Sequence, residues 1–107
     1  MSTRQTSKFE KKKFLDQTLK ALNYHDEREA AIDLTILSVS ARYAEFSEEC
    51  QRFEKKYGME YGEFEKKISN KVNDEDFGEE DDLMAWKFAK EGAGFWHKKL
   101  EELNSVL

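Results

Sequence analysis

The sequence predicts an all-α protein, a small helical bundle with two long antiparallel helices and two short ones. Its 107 residues include no proline and only five glycines, so a β-sandwich or barrel lacks its usual turn residues. Apolar side chains recur at spacings of three and four residues along most of the chain. Eight Phe, four Tyr and two Trp argue against a disordered chain. We therefore expect a single helical domain over 8–107, preceded by a mobile tail over 1–7.

The first helix is predicted over 10–23 and is basic and amphipathic. Its apolar face comprises Phe14, Leu15, Thr18, Leu19 and Leu22. A short break follows from Asn23. Asp26 and Glu29 then have the spacing of a capping box, in which the Asp26 carboxylate accepts a hydrogen bond from the backbone N–H three residues later.

The second helix, predicted over 27–57, carries the strongest periodic signal. Eight residues recur at alternating spacings of four and three, as in the seam of a coiled coil: Ile32, Ile36, Val39, Tyr43, Phe46, Cys50, Phe53 and Tyr57. A second apolar stripe accompanies its first half: Ala30, Leu34, Leu37, Ala41 and Ala44. One neighbouring helix does not cover so wide an apolar arc, so we expect a homodimer or a docked partner protein there. Gly58 ends the helix in a left-handed conformation.

A short third helix is predicted over 60–71 and a long fourth helix over 80–105, with an acidic connector at 73–82 between them. One face of the third helix comprises Tyr61, Phe64, Ile68 and Val72. The main apolar stripe of the fourth comprises Trp86, Ala89, Ala93, Trp96, Leu100, Leu103 and Leu107, and a flanking stripe comprises Met84, Phe88 and Phe95. Gly92 and Gly94 cost about 1 kcal/mol each relative to alanine in a helix. They indicate either a bulky residue packed close to them or a kink in the helix.

The net charge of −5 is distributed unevenly along the chain. Residues 1–23 carry six basic and two acidic side chains, whereas 58–82 carry three basic and ten acidic ones. This segregation favours either attraction between the basic and acidic segments of the chain or a charged partner, and it disfavours nucleic-acid binding by the whole domain. The most apolar stretch, 30–39, is too short to span a membrane, and the charged N-terminal region is unlike a secretory signal. With Cys50 as a lone thiol, we expect a cytoplasmic protein.

The acidic connector is a candidate for metal or partner binding. An EF-hand loop beginning at Asp74 needs glycine at its sixth position and a carboxylate at its twelfth, but Glu79 and Ala85 stand there. We therefore expect no metal, and interpret the connector as a solvated linker or as the rim of a surface for a basic partner. An apolar groove on the second helix completes that candidate surface. The candidate partner-binding residues are Leu34, Leu37, Phe46, Asp74, Asp76, Phe77, Glu79, Glu80, Asp81 and Asp82.

The sequence contains no arrangement of residues that indicates catalysis. His25 and His97 lack a Glu or second His at metal-ligand spacing, and Cys50 falls on the apolar seam, where an inert packed thiol is expected. No glycine-rich phosphate loop is present. We therefore expect neither an enzyme nor a cofactor. Two alternatives stay open: a nucleic-acid-associated regulator using the lysines of 8–20, and a ligand pocket built from Tyr43, Tyr57, Trp86 and His97.

Three motifs occur together in the second half of the chain: Phe53-Glu54-Lys55-Lys56-Tyr57-Gly58-Met59, Phe64-Glu65, and Asp81-Asp82-Leu83-Met84 leading into Trp86. This half resembles short helical prokaryotic proteins described as antitoxin-like partners of small co-encoded toxins. The resemblance implies a non-enzymatic protein-interaction module whose partner is a small basic protein. Some members of that class carry an N-terminal DNA-binding ribbon-helix-helix, but the segment 9–22 lacks the alternating strand which that element needs.

Overall fold

The computed structural model describes residues 7–71 and 77–106, and within these ranges the chain forms four α-helices and no strand. The helices are α1 (Lys8–Ala21), α2 (Glu27–Tyr57), α3 (Tyr61–Ser69) and α4 (Phe77–Val106). The predicted all-α class, with two long and two short helices, is confirmed. The expected N-terminal tail lies outside the described residues except for Ser7, whose hydroxyl accepts the Glu10 backbone N–H at 3.1 Å and caps α1.

The chain divides into two compact units, one ending at Leu37 and the other beginning at Ser38, so that α2 contributes to both. In the first unit, Leu19 and Ala30 are the buried apolar residues among those described. The chain reverses at Asn23, whose φ of 67° is a conformation that asparagine tolerates better than most residues. The other large apolar side chains of α1 are exposed: Phe9, Phe14, Leu15 and Leu22.

Local polar contacts hold the start of α2 in the first unit. The predicted cap is confirmed, because the Asp26 carboxylate accepts the Glu29 backbone N–H at 2.9 Å. The Tyr24 hydroxyl donates to the Asp33 carboxylate, an interaction that raises the pKa of Tyr24. These contacts lie at the surface and fix helix ends and side-chain positions rather than fill a core.

The second unit is built around three buried aromatic side chains, Phe53 from α2, Phe64 from α3 and Trp86 from α4, each at most 1% exposed. The Trp86 ring stacks on Phe53 with centroids 5.6 Å apart and lies 5.5 Å from Phe64. Around them pack Cys50, Tyr57, Met59, Tyr61, Ile68 and Leu83. Helices from three parts of the chain therefore meet at one aromatic cluster.

The two long helices run antiparallel in the second unit, as predicted. Lys56, near the end of α2, pairs with Asp82 near the start of α4. Tyr43 lies earlier on α2 and His97 later on α4, and their ring centroids are 5.4 Å apart. None of the eight predicted seam residues of α2 is exposed. Gly58 has φ +64° and ends α2 in the left-handed conformation, as its position predicts.

Helix α4 begins at Phe77, three residues before the predicted start, so that 77–82 belongs to a helix and not to a connector. The reason is electrostatic: Glu79 and Glu80 lie in the first turn, where carboxylates interact favourably with the helix dipole. The rest of the predicted connector, 73–76, lies outside the described residues. No helix in the described part of the chain has the length and apolar character needed to cross a membrane.

The two glycines of α4 differ in their surroundings. A Cβ added to Gly92 would lie 2.6 Å from the Phe46 ring, which confirms the predicted close approach of a bulky residue. At Gly94, by contrast, nothing among the described residues lies within 4 Å of an added Cβ. Only Gly92 is thus required by the packing of α2 against α4.

Candidate protein-binding surfaces

Helix α4 is apolar on two sides, and the fold buries one of them. Trp86 and Ala89 lie on the buried side. A line of apolar residues on the other side is between 54% and 78% exposed, and we call it the outer stripe: Phe77, Met84, Phe88, Phe95 and Val106. At 3.6 residues per turn these five positions fall within about 40° of one another around the helix axis. The outer stripe is therefore an apolar surface that the described fold leaves in contact with water, with the exposed Glu102 between Phe95 and Val106 on the same side.

Phe46 of α2 lies at the edge of the outer stripe. Its ring meets Phe88 edge to face, with centroids 5.6 Å apart and an interplanar angle of 70°. The same ring covers Gly92 and is half-buried. The structure thus brings the predicted partner-binding residue Phe46 together with Phe88, and so adds an aromatic side chain from α2 to the margin of the outer stripe.

Two of the predicted rim carboxylates are engaged within the second unit. Glu79 pairs with Lys71 and lies 3.8 Å from Lys67. Asp82 accepts hydrogen bonds from Lys56 at 2.6 Å and from the Tyr57 hydroxyl, and these bonds hold the pKa of Asp82 below its ordinary value. Both carboxylates therefore stabilise the fold, which limits their part in holding a partner.

Two other rim carboxylates, Glu80 and Asp81, are exposed on the first turns of α4. Phe77 lies one turn away from them at the start of the outer stripe. Asp74 and Asp76, also predicted for the rim, lie outside the described residues. The acidic surface that the structure does describe is thus a pair of carboxylates beside an exposed phenylalanine.

Leu34 and Leu37, the remaining predicted partner-binding residues, belong to the first unit and are 56% and 58% exposed. They lie three residues apart and therefore on the same side of α2. Ala30, which precedes them in the second apolar stripe, is buried. The two leucines form a small exposed patch, whereas Phe46 belongs to the second unit.

The first unit also contains a polar depression of about 520 Å³, lined by Lys12, Asp16, Leu19, Lys20, His25, Asp26, Glu27 and Arg28. Lys12 lies 2.9 Å from Glu27 and 3.5 Å from Asp16, and its hydrogen bond to Glu27 raises the pKa of Lys12. Three basic side chains (Lys12, Lys20 and Arg28) and three carboxylates (Asp16, Asp26 and Glu27) thus line this depression. Such a mixed lining gives no uniform positive potential for a nucleic-acid backbone.

The four residues predicted for a ligand pocket form two separate aromatic pairs. Tyr43 packs on His97, while Tyr57 stacks on Trp86 within the buried cluster. His97 Nδ1 lies 2.9 Å from the Glu101 carboxylate on the surface of α4. Trp86 is 1% exposed, so its ring is inaccessible to a ligand in this fold.

Cys50 is half-buried, and burial raises the pKa of its thiol, which keeps it protonated at neutral pH. Within residues 7–71 and 77–106, no three His, Cys, Asp or Glu side chains come together as metal ligands would.

Met84, Phe88 and Phe95 belong to the flanking stripe predicted for the fourth helix, which was not predicted to be a partner surface. The signal was present in the spacing, since Phe77 precedes Met84 by seven residues and Phe88 precedes Phe95 by seven. The predicted connector over 73–82 excludes Phe77 from the helix, so this repeat of seven is not recognisable from the sequence prediction. Comparison with family models, with curated proteins and with solved structures finds no match for this chain.

Proposed function

We propose that this protein is a non-enzymatic interaction module that binds a protein partner through the outer stripe of α4. The observation that carries the proposal is the exposure of three phenylalanines and a methionine along one side of a helix whose other side forms the core. Water contact with such a surface is costly, at about 25 cal/mol for each Å² of apolar area. A partner that covers the outer stripe removes this cost.

The chemistry beside the outer stripe specifies the kind of partner. Glu80 and Asp81 are exposed next to Phe77, so the best partner places basic side chains at that end and an apolar helix along the stripe. Aromatic side chains and methionine are also the residues that protein interfaces use most as anchors. An antitoxin-like protein with a small basic partner fits this description, and that role is the specific form of the proposal.

The test compares partner capture by the natural chain and by a doubly substituted chain. Phe88→Glu with Phe95→Glu places two charges in the middle of the outer stripe, where both rings are exposed and make no contribution to the buried cluster. We expect this variant to lose proteins that the tagged natural chain retains at near-equal amounts from its native cytosol, as quantified by mass spectrometry.

The matched control is Phe14→Glu, because Phe14 is also an exposed phenylalanine but lies on α1 in the first unit. The control should retain the same proteins as the natural chain, and circular dichroism should show the same helix content for all three proteins. Equal capture by the double variant and the natural chain would remove the outer stripe as the binding surface.

A further inference from the structure

We infer that the partner on the outer stripe is a second copy of this chain, whose α4 packs against it in the antiparallel direction. The inference rests on the proposed function, because it concerns the same surface, and it replaces the small basic protein with a second copy as the occupant of the outer stripe. It follows from the order of the residues along the outer stripe, from the charges that flank it and from its area.

Four of the five residues of the outer stripe are placed symmetrically about its centre, and Met84 is the exception. Eleven residues separate Phe77 from Phe88, and eleven separate Phe95 from Val106. A twofold axis between positions 91 and 92 therefore sets Phe88 of one copy opposite Phe95 of the other, and Phe77 opposite Val106. Each apolar anchor at the centre and ends of the stripe thus meets another apolar side chain.

In this register Met84 of one copy faces Lys99 of the other. The Lys99 ammonium lies 5.6 Å from the centroid of the Phe95 ring in its own helix, so the aliphatic part of Lys99 lies along the outer stripe. A flexible methionine packs well against such an aliphatic chain. Met84, the one residue of the outer stripe without an apolar counterpart, therefore packs against the aliphatic part of Lys99.

The flanking charges favour the antiparallel direction over the parallel one. Glu80 and Asp81 lie near the start of α4, whereas Lys98 and Lys99 lie in its last third. Antiparallel pairing brings Lys98 and Lys99 of the other copy within about 4–8 Å of these carboxylates along the helix axis, at 1.5 Å per residue, and also sets Glu102 opposite Asp81. Parallel pairing sets every one of these charges against the same charge of the other copy, which is more repulsive.

The exposed area suits a dimer of ordinary size. With roughly 200 Å² for a whole phenylalanine side chain, the outer stripe exposes on the order of 500 Å² of apolar surface. A stable interface buries about 800 Å² on each partner, of which the polar rim is a part. The outer stripe and its flanking charges therefore provide enough surface for a dimer.

Sedimentation equilibrium of the full chain at micromolar concentration tests the inference. We expect a mass of twice the 12.6 kDa chain, and a dissociation constant at least about 100-fold higher for Phe88→Glu with Phe95→Glu. The control is Phe14→Glu, since Phe14 is about as exposed as Phe95 but lies on α1. A monomer, or a dimer that the double variant does not weaken, overturns the inference.

Disulfide formation between copies tests the direction of pairing, in a Cys50→Ser background. Two copies of position 91 lie beside the twofold axis, whereas two copies of position 81 lie about 30 Å apart along the helix axis. A disulfide needs Cα atoms within about 7 Å. We therefore expect Glu91→Cys to form a covalent dimer on oxidation and Asp81→Cys to stay monomeric on a denaturing gel. Equal crosslinking at both positions overturns antiparallel pairing.

The measurements separate this inference from the proposed function. If the chain is a monomer but the double variant loses a different protein, the outer stripe binds a partner and the second copy is ruled out. If the double variant changes neither self-association nor capture, both proposals fail.

Discussion

The two units of this protein contain similar helices but are stabilised in different ways. The first buries Leu19 and Ala30 among its described residues and fixes its helix ends with exposed caps and ion pairs. The second buries Phe53, Phe64 and Trp86 in a cluster that joins three helices. Burying a large apolar side chain contributes about 1.5–3 kcal/mol, whereas an exposed ion pair contributes about 0–1 kcal/mol. Packing therefore contributes most of the stability of the second unit, whereas local polar contacts contribute a larger part of the stability of the first.

The largest expected effect is on the aromatic cluster. Trp86→Ala removes a ring that contacts both α2 and α3 and should lower the free energy of unfolding by about 3–5 kcal/mol. The measurement is urea denaturation followed by circular dichroism. Leu19→Ala is the matching change in the first unit and should cost less, at or below about 2 kcal/mol. Equal losses for the two variants would show that the first unit is packed as tightly as the second.

A medium effect is expected where Phe46 of α2 packs against Gly92 of α4. Gly92→Ala places a methyl group 2.6 Å from the Phe46 ring, so it should destabilise the protein by about 1–3 kcal/mol despite the higher helix propensity of alanine. Gly94→Ala is the control: its added Cβ meets nothing within 4 Å among the described residues, so it should stabilise by up to about 1 kcal/mol. Thermal unfolding should give shifts of opposite sign, and two positive shifts would contradict the close packing of Phe46.

The smallest effect concerns the ion pairs of the two units. The pKa of Asp82 is lower in the folded protein, so its contribution is complete above the ordinary aspartate range near pH 4 and is lost as the pH falls through its folded pKa. Asp82→Asn should therefore reduce the loss of unfolding free energy between neutral and acid pH, by about 1 kcal/mol or less. The comparison is Glu27→Gln, which breaks the exposed pair with Lys12 and should change the free energy of unfolding less than Asp82→Asn does.

Urea denaturation at pH 3 and pH 7 checks both changes, since it gives the pH dependence of the unfolding free energy for each variant. A chain with Asp82→Asn that loses as much stability in acid as the natural chain would show that the Lys56 and Tyr57 hydrogen bonds do not favour the ionised carboxylate. A larger effect for Glu27→Gln would mean that the first unit depends on its ion pairs more than the second does.

The part of the fold that follows from periodicity was predictable from the sequence. The seam of α2 from Ile32 to Tyr57 repeats every 3.5 residues, and only a helix packed along one line uses such a repeat, so both its bounds and its buried side were predicted correctly. The capping role of Asp26 and the helix-ending role of Gly58 were also predictable, because capping depends on residues that are close in sequence. These features need no knowledge of distant neighbours.

The candidate surface was less accessible to sequence analysis, because periodicity does not say which of two apolar sides faces the core. Helix α4 has Trp86 on one side and Phe88 on the other, and both recur at helical spacing. The choice depends on which side meets Phe53 and Phe64, residues that are distant in sequence. The role of Gly92 was open for the same reason, since its partner Phe46 depends on the register between two helices.

Trp86 has a consequence for how the protein can be observed. Its indole is shielded from water by rings of both neighbouring helices: Phe53, Tyr57, Tyr61 and Phe64. The other tryptophan, Trp96, is half-buried on the same helix. The emission of Trp86 is therefore expected to be blue-shifted and poorly quenched by iodide, and to change when α3 detaches, while Trp96 serves as an internal reference. The protein thus carries an intrinsic fluorescent reporter for the assembly of three of its helices.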